Sequence, residues 1–131
     1  MVVPVEVRFR DLDALGHVNN AVYLSYFEVA RVAYFAHLER DWLAKGHFIL
    51  ARAELDFLRP VHLGDRVEVG VRVVRLGRSS FDMEYLLTAQ GEPAARGKTV
   101  QVWLEGGRPA PLPPAIRERI EALEGRALLA P

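Results

Sequence analysis

Between Arg10 and Asn20 the chain reads Arg-Asp-Leu-Asp-Ala-Leu-Gly-His-Val-Asn-Asn, its densest run of side chains able to bind or react. Four chemistries compete for it. Asp11, Asp13 and Gly16 stand where a calcium-binding loop would begin, but Leu15 holds a ligand position of such a loop and Val22 replaces its bidentate Glu. His17 and the two Asp could ligate a transition metal, yet His37, His47 and His62 have no paired spacing with them. No metal is expected. Asp13, Asn19 or Asn20 could instead cap a following helix, a contact worth about 1 kcal/mol. Finally, a carboxylate beside a helix N-terminus meets unpaired N–H groups and about half a positive charge, which together can stabilise an oxyanion. For Asn19 and Asn20 the capping and functional roles both stay open.

The elements that must position this run follow from periodicity. From Val3 to Phe9 apolar residues alternate with Pro4, Glu6 and Arg8, which predicts a half-buried strand. Asp11 to Asn20 is rich in turn and cap formers and predicts an ordered loop. Between Ala21 and Leu38, Tyr23, Tyr26, Phe27, Ala30, Tyr34 and Leu38 recur at helical spacing while Val22, Val29, Val32, Ala33 and Ala36 fill the other sides. This predicts a helix roughly 27 Å long, apolar nearly all round and enclosed by other structure. Its charges before Glu39 are Glu28 and Arg31, spaced to pair.

Four further strands are expected at 48–58, 65–75, 79–90 and 95–104, with hairpin turns at Gly77-Arg78-Ser79 and Gly91-Glu92-Pro93. In the second of these, Val67, Val69, Val71 and Val73 share one face, and Arg66, Glu68 and Arg72 the other. Pro113-Pro114 can start a short helix carrying Ile116, Ile120 and Leu123 and stopping near Gly125. The fold class is therefore α+β: a curved antiparallel sheet of about five strands around one long central helix, with a short C-terminal helix.

Composition narrows the function. At 131 residues, half of them hydrophobic, one domain spanning 1–131 is expected. Seventeen basic and seventeen acidic residues cancel, so no global field favours a nucleic acid or an anionic membrane. The absence of Cys removes disulfides, thiolate metal sites and a thiol nucleophile. No signal-peptide pattern opens the chain and no run approaches 18 apolar residues. A cytoplasmic protein without cofactor, nucleic acid or membrane partner is expected.

The segment from Arg10 to Arg31 resembles the 4-hydroxybenzoyl-CoA thioesterase-like branch of the hotdog-fold acyl-CoA thioesterases. Asp11 to Tyr23 fits the signature D-x-D-x-x-G-x-V-x-x-x-x-Y over its length. Weaker echoes are Arg59-Pro60-Val61 with Gly64-Asp65, and Gly77-Arg78-Ser79-Ser80-Phe81. The resemblance implies hydrolysis of an acyl-CoA, with Asp13 as the catalytic carboxylate and the N–H of Asn20 polarising the thioester carbonyl. It implies that Gly16 and His17 complete the catalytic loop, that Asn19 and Tyr23 meet substrate, and that Arg78, Ser79 and Ser80 help hold the CoA phosphates. It also implies a homo-oligomer, a dimer with helices back to back and sheets joined edge to edge, often paired into a homotetramer. The sequence departs from the hydroxybenzoyl enzyme at His17, where that enzyme is apolar, and this leaves the acyl group open.

The implied chemistry is physically sufficient. A thioester is already activated, so a carboxylate delivering water and an N–H taking the growing charge can open it without Cys, metal or Ser triad; direct attack by Asp13 is the other route. Two competing readings remain: a hydratase or dehydratase using His17 with Asp13, and a binding module that keeps the fold without the reaction. Trp42, Phe48 and Trp103 are expected in the core or between subunits. Glu54, Asp56, Arg72 and Arg75 are expected to be surface groups.

Overall fold

A computed structural model describes residues 1–128, with the side chains of all of these except Leu43 and Lys45. Strand β1 (Val2–Val5) is followed by a 3-10 turn (Phe9–Asp11) and the long helix α1 (Val22–Leu38). A short helix α2 (Trp42–Lys45) leads into β2 (His47–Phe57), β3 (Val67–Leu76), β4 (Ser80–Ala89) and β5 (Glu92–Glu105). A two-residue strand β6 (Arg108–Pro109) and helix α3 (Pro114–Glu124) complete the described chain. The strands form one antiparallel sheet in the order β1-β3-β4-β5-β2, with β6 on β5.

Alternation sorts the strand residues as the sequence anticipates. Val67, Val69, Val71 and Val73 of β3 and Phe81, Met83, Tyr85 and Leu87 of β4 are all buried on the helix side. Opposite them, Tyr23, Tyr26, Phe27, Ala30, Tyr34, Phe35 and Leu38 form the buried face of α1. Trp103 is fully enclosed and Trp42 stacks on Phe48 at 5.1 Å, so the expected core role of these aromatics holds. Glu54, Asp56, Arg72 and Arg75 lie exposed, with Arg72 paired to Glu84 at 2.8 Å.

Four expectations need correction. The first strand stops at Val5 rather than Phe9, because β3 begins at Val67, the partner of Val5, and offers no ladder beyond it. The second hairpin turns at Gln90 and Gly91, both at positive φ, while Glu92 and Pro93 already belong to β5. Glu28 and Arg31 do not pair: Glu28 is exposed, whereas Arg31 is buried and donates from Nη1 to the Tyr85 hydroxyl at 3.0 Å. Nor is α1 enclosed by its own chain. Val29 and Val32 are 49% and 45% exposed, and almost the whole of β2 is open to solvent as the edge strand beyond β5.

The C-terminal helix is latched to the core by one carboxylate. Glu124 Oε2 accepts from the Tyr34 hydroxyl at 2.6 Å and from the Val73 N–H at 2.9 Å. Burial, then the Glu124 bond and charge, push the Tyr34 phenol above its ordinary value of 10.0. A phenol raised in the fold stabilises it fully below the unfolded value, and this contribution is lost as pH rises past 10.0. Denaturant midpoints followed from about pH 8 to about pH 11 should therefore fall less steeply for Tyr34→Phe than for the wild type.

Candidate active site

The loop between the 3-10 turn and α1 is a small hairpin. Leu12 bridges Val18, Asp13 N–H donates to the His17 carbonyl at 2.8 Å, and Gly16 N–H donates to the Asp13 carbonyl at 3.1 Å. Gly16 sits at φ +81°, a left-handed conformation that a side chain would strain, and this is what lets the loop reverse. Val18 N–H then ties the loop to the Val61 carbonyl at 2.8 Å.

The Asp13 side chain is half-buried. Its Oδ1 accepts from the N–H groups of Leu15 at 2.9 Å and His17 at 3.3 Å. Its Oδ2 accepts no hydrogen bond among the described residues. One oxygen is thus held by the backbone while the other stays available for a proton or an acyl carbon.

Asn19 forms the turn just ahead of the helix. Its Oδ1 accepts the Ala21 N–H at 2.9 Å and its carbonyl the Val22 N–H at 2.9 Å, a turn that leads into the helix, whose own N-cap position, Ala21, has no side-chain capping bond. The N–H of Asn20 donates to no group among the described residues, and Asn20 lines the same cavity as Asp13. That cavity, of about 460 Å³, is walled further by His17, Tyr23, Phe57 and Arg59. Tyr23 meets Phe57 edge to face at 5.1 Å. Burial raises the Tyr23 phenol, with partial relief from the Val61 backbone N–H, so it stays an uncharged hydroxyl. Asp13, His17, Asn20 and Tyr23 therefore converge on one cavity, with Gly16 shaping its loop and Asn19 its helix start.

Arg78, Ser79 and Ser80 do not join them. They form the β3–β4 hairpin, and Ser80 lies opposite Val102 whereas Phe57 of the cavity lies opposite Ala95. Seven residues of β5 separate the two ends, about 23 Å at strand rise. Within one chain the hairpin and the Asp13 cavity sit at opposite ends of the sheet.

Three residues distant in sequence join the loop only in the fold. His62 packs its ring edge-on against His17, centroids 5.0 Å apart, with its Nδ1 3.7 Å from Asp65 Oδ2. Arg59 and Phe57 line the cavity from the end of β2. Each lies more than thirty residues from the loop in sequence, so no local spacing could have joined them to it. Among the described residues, no three His, Cys, Asp or Glu side chains are grouped to hold a metal ion. A larger groove of about 730 Å³ runs over the opposite sheet face, past Arg72, Glu84 and Lys98, and contains neither Asp13 nor any His.

Comparison with known proteins identifies the family. A thioesterase from Thermus thermophilus, solved with coenzyme A and zinc, is 68% identical and superposes with a TM-score of 0.90 over 97% of this chain and 96% of that one. The 1,4-dihydroxy-2-naphthoyl-CoA hydrolase of Synechococcus elongatus is 32% identical over 123 residues, 88% of this chain and 90% of the relative. The betainyl-CoA thioesterase of Pseudomonas aeruginosa is 33% identical over 120 residues, 86% and 76% of the two chains. The model of the thioesterase-like superfamily matches residues 7–120. Since that match takes in the Asp13 loop, the central helix and every long strand of the wrapping sheet, the chain belongs to the thioesterase-like superfamily.

Proposed function

We propose that this chain hydrolyses an acyl-CoA thioester to a carboxylic acid and free CoA, as a single domain of a cytoplasmic homo-oligomer. The observation that carries the reading is the shared cavity: a carboxylate with one oxygen uncommitted and an unpaired amide donor at a helix entrance line the same hollow. The Asn20 N–H takes the charge developing on the carbonyl oxygen, and Asp13 either deprotonates a water or attacks the carbonyl itself. A single turnover in heavy-oxygen water tests the second route: label appearing on the Asp13 carboxylate, with the acid carrying an Asp13 oxygen, marks an anhydride opened at its Asp13 carbonyl, whereas the first route puts label only in the acid. The Tyr23–Phe57 pair offers an apolar wall to the acyl group.

A thiol-release assay over short, long and aromatic acyl-CoA substrates tests the activity. Release from at least one class is expected. Binding without release from any class would leave a non-catalytic acyl-thioester module.

What one chain leaves open supports the homo-oligomer reading. An edge strand with unpaired backbone groups, beside a helix with exposed valines, is a surface that a second copy can cover. If two β2 strands pair antiparallel about a two-fold axis, the Ile49 end of one lies beside the Phe57 end of the other. Ile49 and Ser80 both lie opposite Val102, so the partner's hairpin travels with that end. Arg78, Ser79 and Ser80 then reach the neighbouring Asp13 cavity and meet the CoA phosphates from across the interface. Pairs of such dimers form the homotetramer.

Complementation tests this arrangement. Asp13→Asn and Arg78→Ala are each expected to be impaired, the second chiefly through a roughly tenfold rise in KM. Refolded together, they should give mixed dimers carrying one site with both changes and one with neither, restoring about a quarter of all sites under random pairing. A mixture no more active than the sum of its parts would place the hairpin outside the site.

A further inference from the structure

Asp11 is the most deeply buried carboxylate in the chain's signature loop, and the hydrolytic step makes no use of it. It is 3% exposed, and its Oδ2 accepts from the Tyr26 hydroxyl at 2.7 Å and from the Arg8 N–H at 2.9 Å. Its Oδ1 lies 3.4 Å from Arg8 Nη2, and its own carbonyl accepts the Asn19 N–H at 2.8 Å. Three pieces of chain therefore meet at one residue: the incoming segment at Arg8, the start of the helix at Asn19, and the second turn of the helix at Tyr26.

The positions of these contacts give them meaning. Asp11 precedes Asp13 by two residues, and Tyr26 follows Asn20 by six. The carboxylate on its loop and the amide donor at the helix entrance belong to separate elements, and a displacement of one against the other by about 1 Å can cost about a hundredfold in rate. The Asn19 N–H to Asp11 carbonyl bond is one tie between them, and the Asp11 carboxylate adds a second, to the second turn of the helix.

We propose that the Asp11–Tyr26 hydrogen bond is a strut that sets the separation between Asp13 and the Asn20 N–H, making Asp11 and Tyr26 positioning residues for hydrolysis. This rests on the Asp13 reading given above. The electrostatics agree with a permanently charged strut. Burial alone would raise the Asp11 carboxyl, but the Arg8 N–H, the Tyr26 hydroxyl and the Arg8 charge outweigh it and hold it below its ordinary value. Burial and the Asp11 carboxylate push the Tyr26 phenol upward, so the donor keeps its proton through the physiological range. Tyr26 also adjoins Tyr23 of the cavity wall, ring centroids 6.3 Å apart, so the strut stands directly behind the acyl wall.

The fold contains its own control. Tyr34 makes a comparable phenol-to-carboxylate bond, partly buried, to Glu124 toward the other end of the helix and away from the cavity. Steady-state kinetics on the wild type, Tyr26→Phe, Asp11→Asn and Tyr34→Phe, with thermal midpoints, distinguish positioning from general stability. Tyr26→Phe is expected to lower kcat at least tenfold with KM within about twofold, and Asp11→Asn, which keeps one acceptor oxygen, to lower it less. Tyr34→Phe is expected to lose a similar thermal margin with kcat within about twofold. Equal kcat losses in Tyr26→Phe and Tyr34→Phe, or no loss in Tyr26→Phe, overturn the strut; should Tyr26→Phe not fold, unchanged kcat in Asp11→Asn does so. A readout independent of turnover is amide exchange at Val18 and Asn19, whose N–H groups tie the loop to the Val61 and Asp11 carbonyls; it should quicken in Tyr26→Phe and not in Tyr34→Phe. If Asp13→Asn retained activity, the catalytic reading would fall, and amide exchange would still decide whether the strut holds the loop.

Discussion

Asp13→Asn is expected to lower kcat for acyl-CoA hydrolysis by about a thousandfold, inside the roughly 10²–10⁴ range that a positioned base contributes, with little change in KM or thermal midpoint. Asn is the informative substitution because it keeps an oxygen where Oδ1 accepts the Leu15 and His17 N–H groups, so the loop retains its shape. What it removes is the charge on Oδ2, which has no partner among the described residues. Asp13→Ala deletes the acceptor as well and should add a loss of loop order to the loss of rate. Thiol release measured at saturating substrate, with acyl-CoA binding measured separately, checks the result. A loss below about tenfold in Asp13→Asn would remove that residue from the chemistry, because no other carboxylate among the described residues lines the cavity.

Phe27→Ala should be the most damaging change to the fold, costing about 3–5 kcal/mol, the range for truncating an enclosed Phe. Phe27 is wholly buried, stacks on Tyr85 at 4.6 Å with the rings 9° apart, and covers the backbone of Gly97. The glycine and the ring are one packing unit. A Cβ built at Gly97 would lie 2.5 Å from Phe27 Cε2 and 3.1 Å from the Glu54 carbonyl oxygen, closer than van der Waals contact allows. Gly97→Ala should therefore cost about 1–3 kcal/mol through overpacking. Shortening the ring in Phe27→Leu should absorb part of that cost, so the double variant should be more stable than the sum of the two singles predicts. Chemical denaturation of the four proteins checks this, and additive losses would mean that the ring and the glycine do not press on each other.

These two results probe different levels of the same chain, and the levels were not equally legible. The period-two runs and the helical run from Tyr23 to Leu38 announced the sheet and its helix, because one face of each must leave water. The Asp13 loop was legible for a related reason. A helix entrance needs turn and cap formers just before it, so the loop, the unpaired donors and the carboxylate are neighbours in sequence as well as in space. Even the stop of α3 near Gly125 was written locally.

What tertiary structure alone decided depends on contacts between distant residues. The strand ladder cut β1 short at Val5, and Tyr85, fifty-four residues away, drew Arg31 inward from the expected Glu28 pair. His62 and Arg59 came to the loop because β2 and the segment after it fold back across the helix start, a path that no spacing encodes. Arg78, Ser79 and Ser80 stayed at the far end of the sheet because an antiparallel ladder carries its hairpins to opposite ends. Local chemistry is written in short stretches because it is made by neighbours in the chain. The walls around it come from backbone hydrogen bonding and apolar burial summed over the whole fold, and only the folded molecule reveals them.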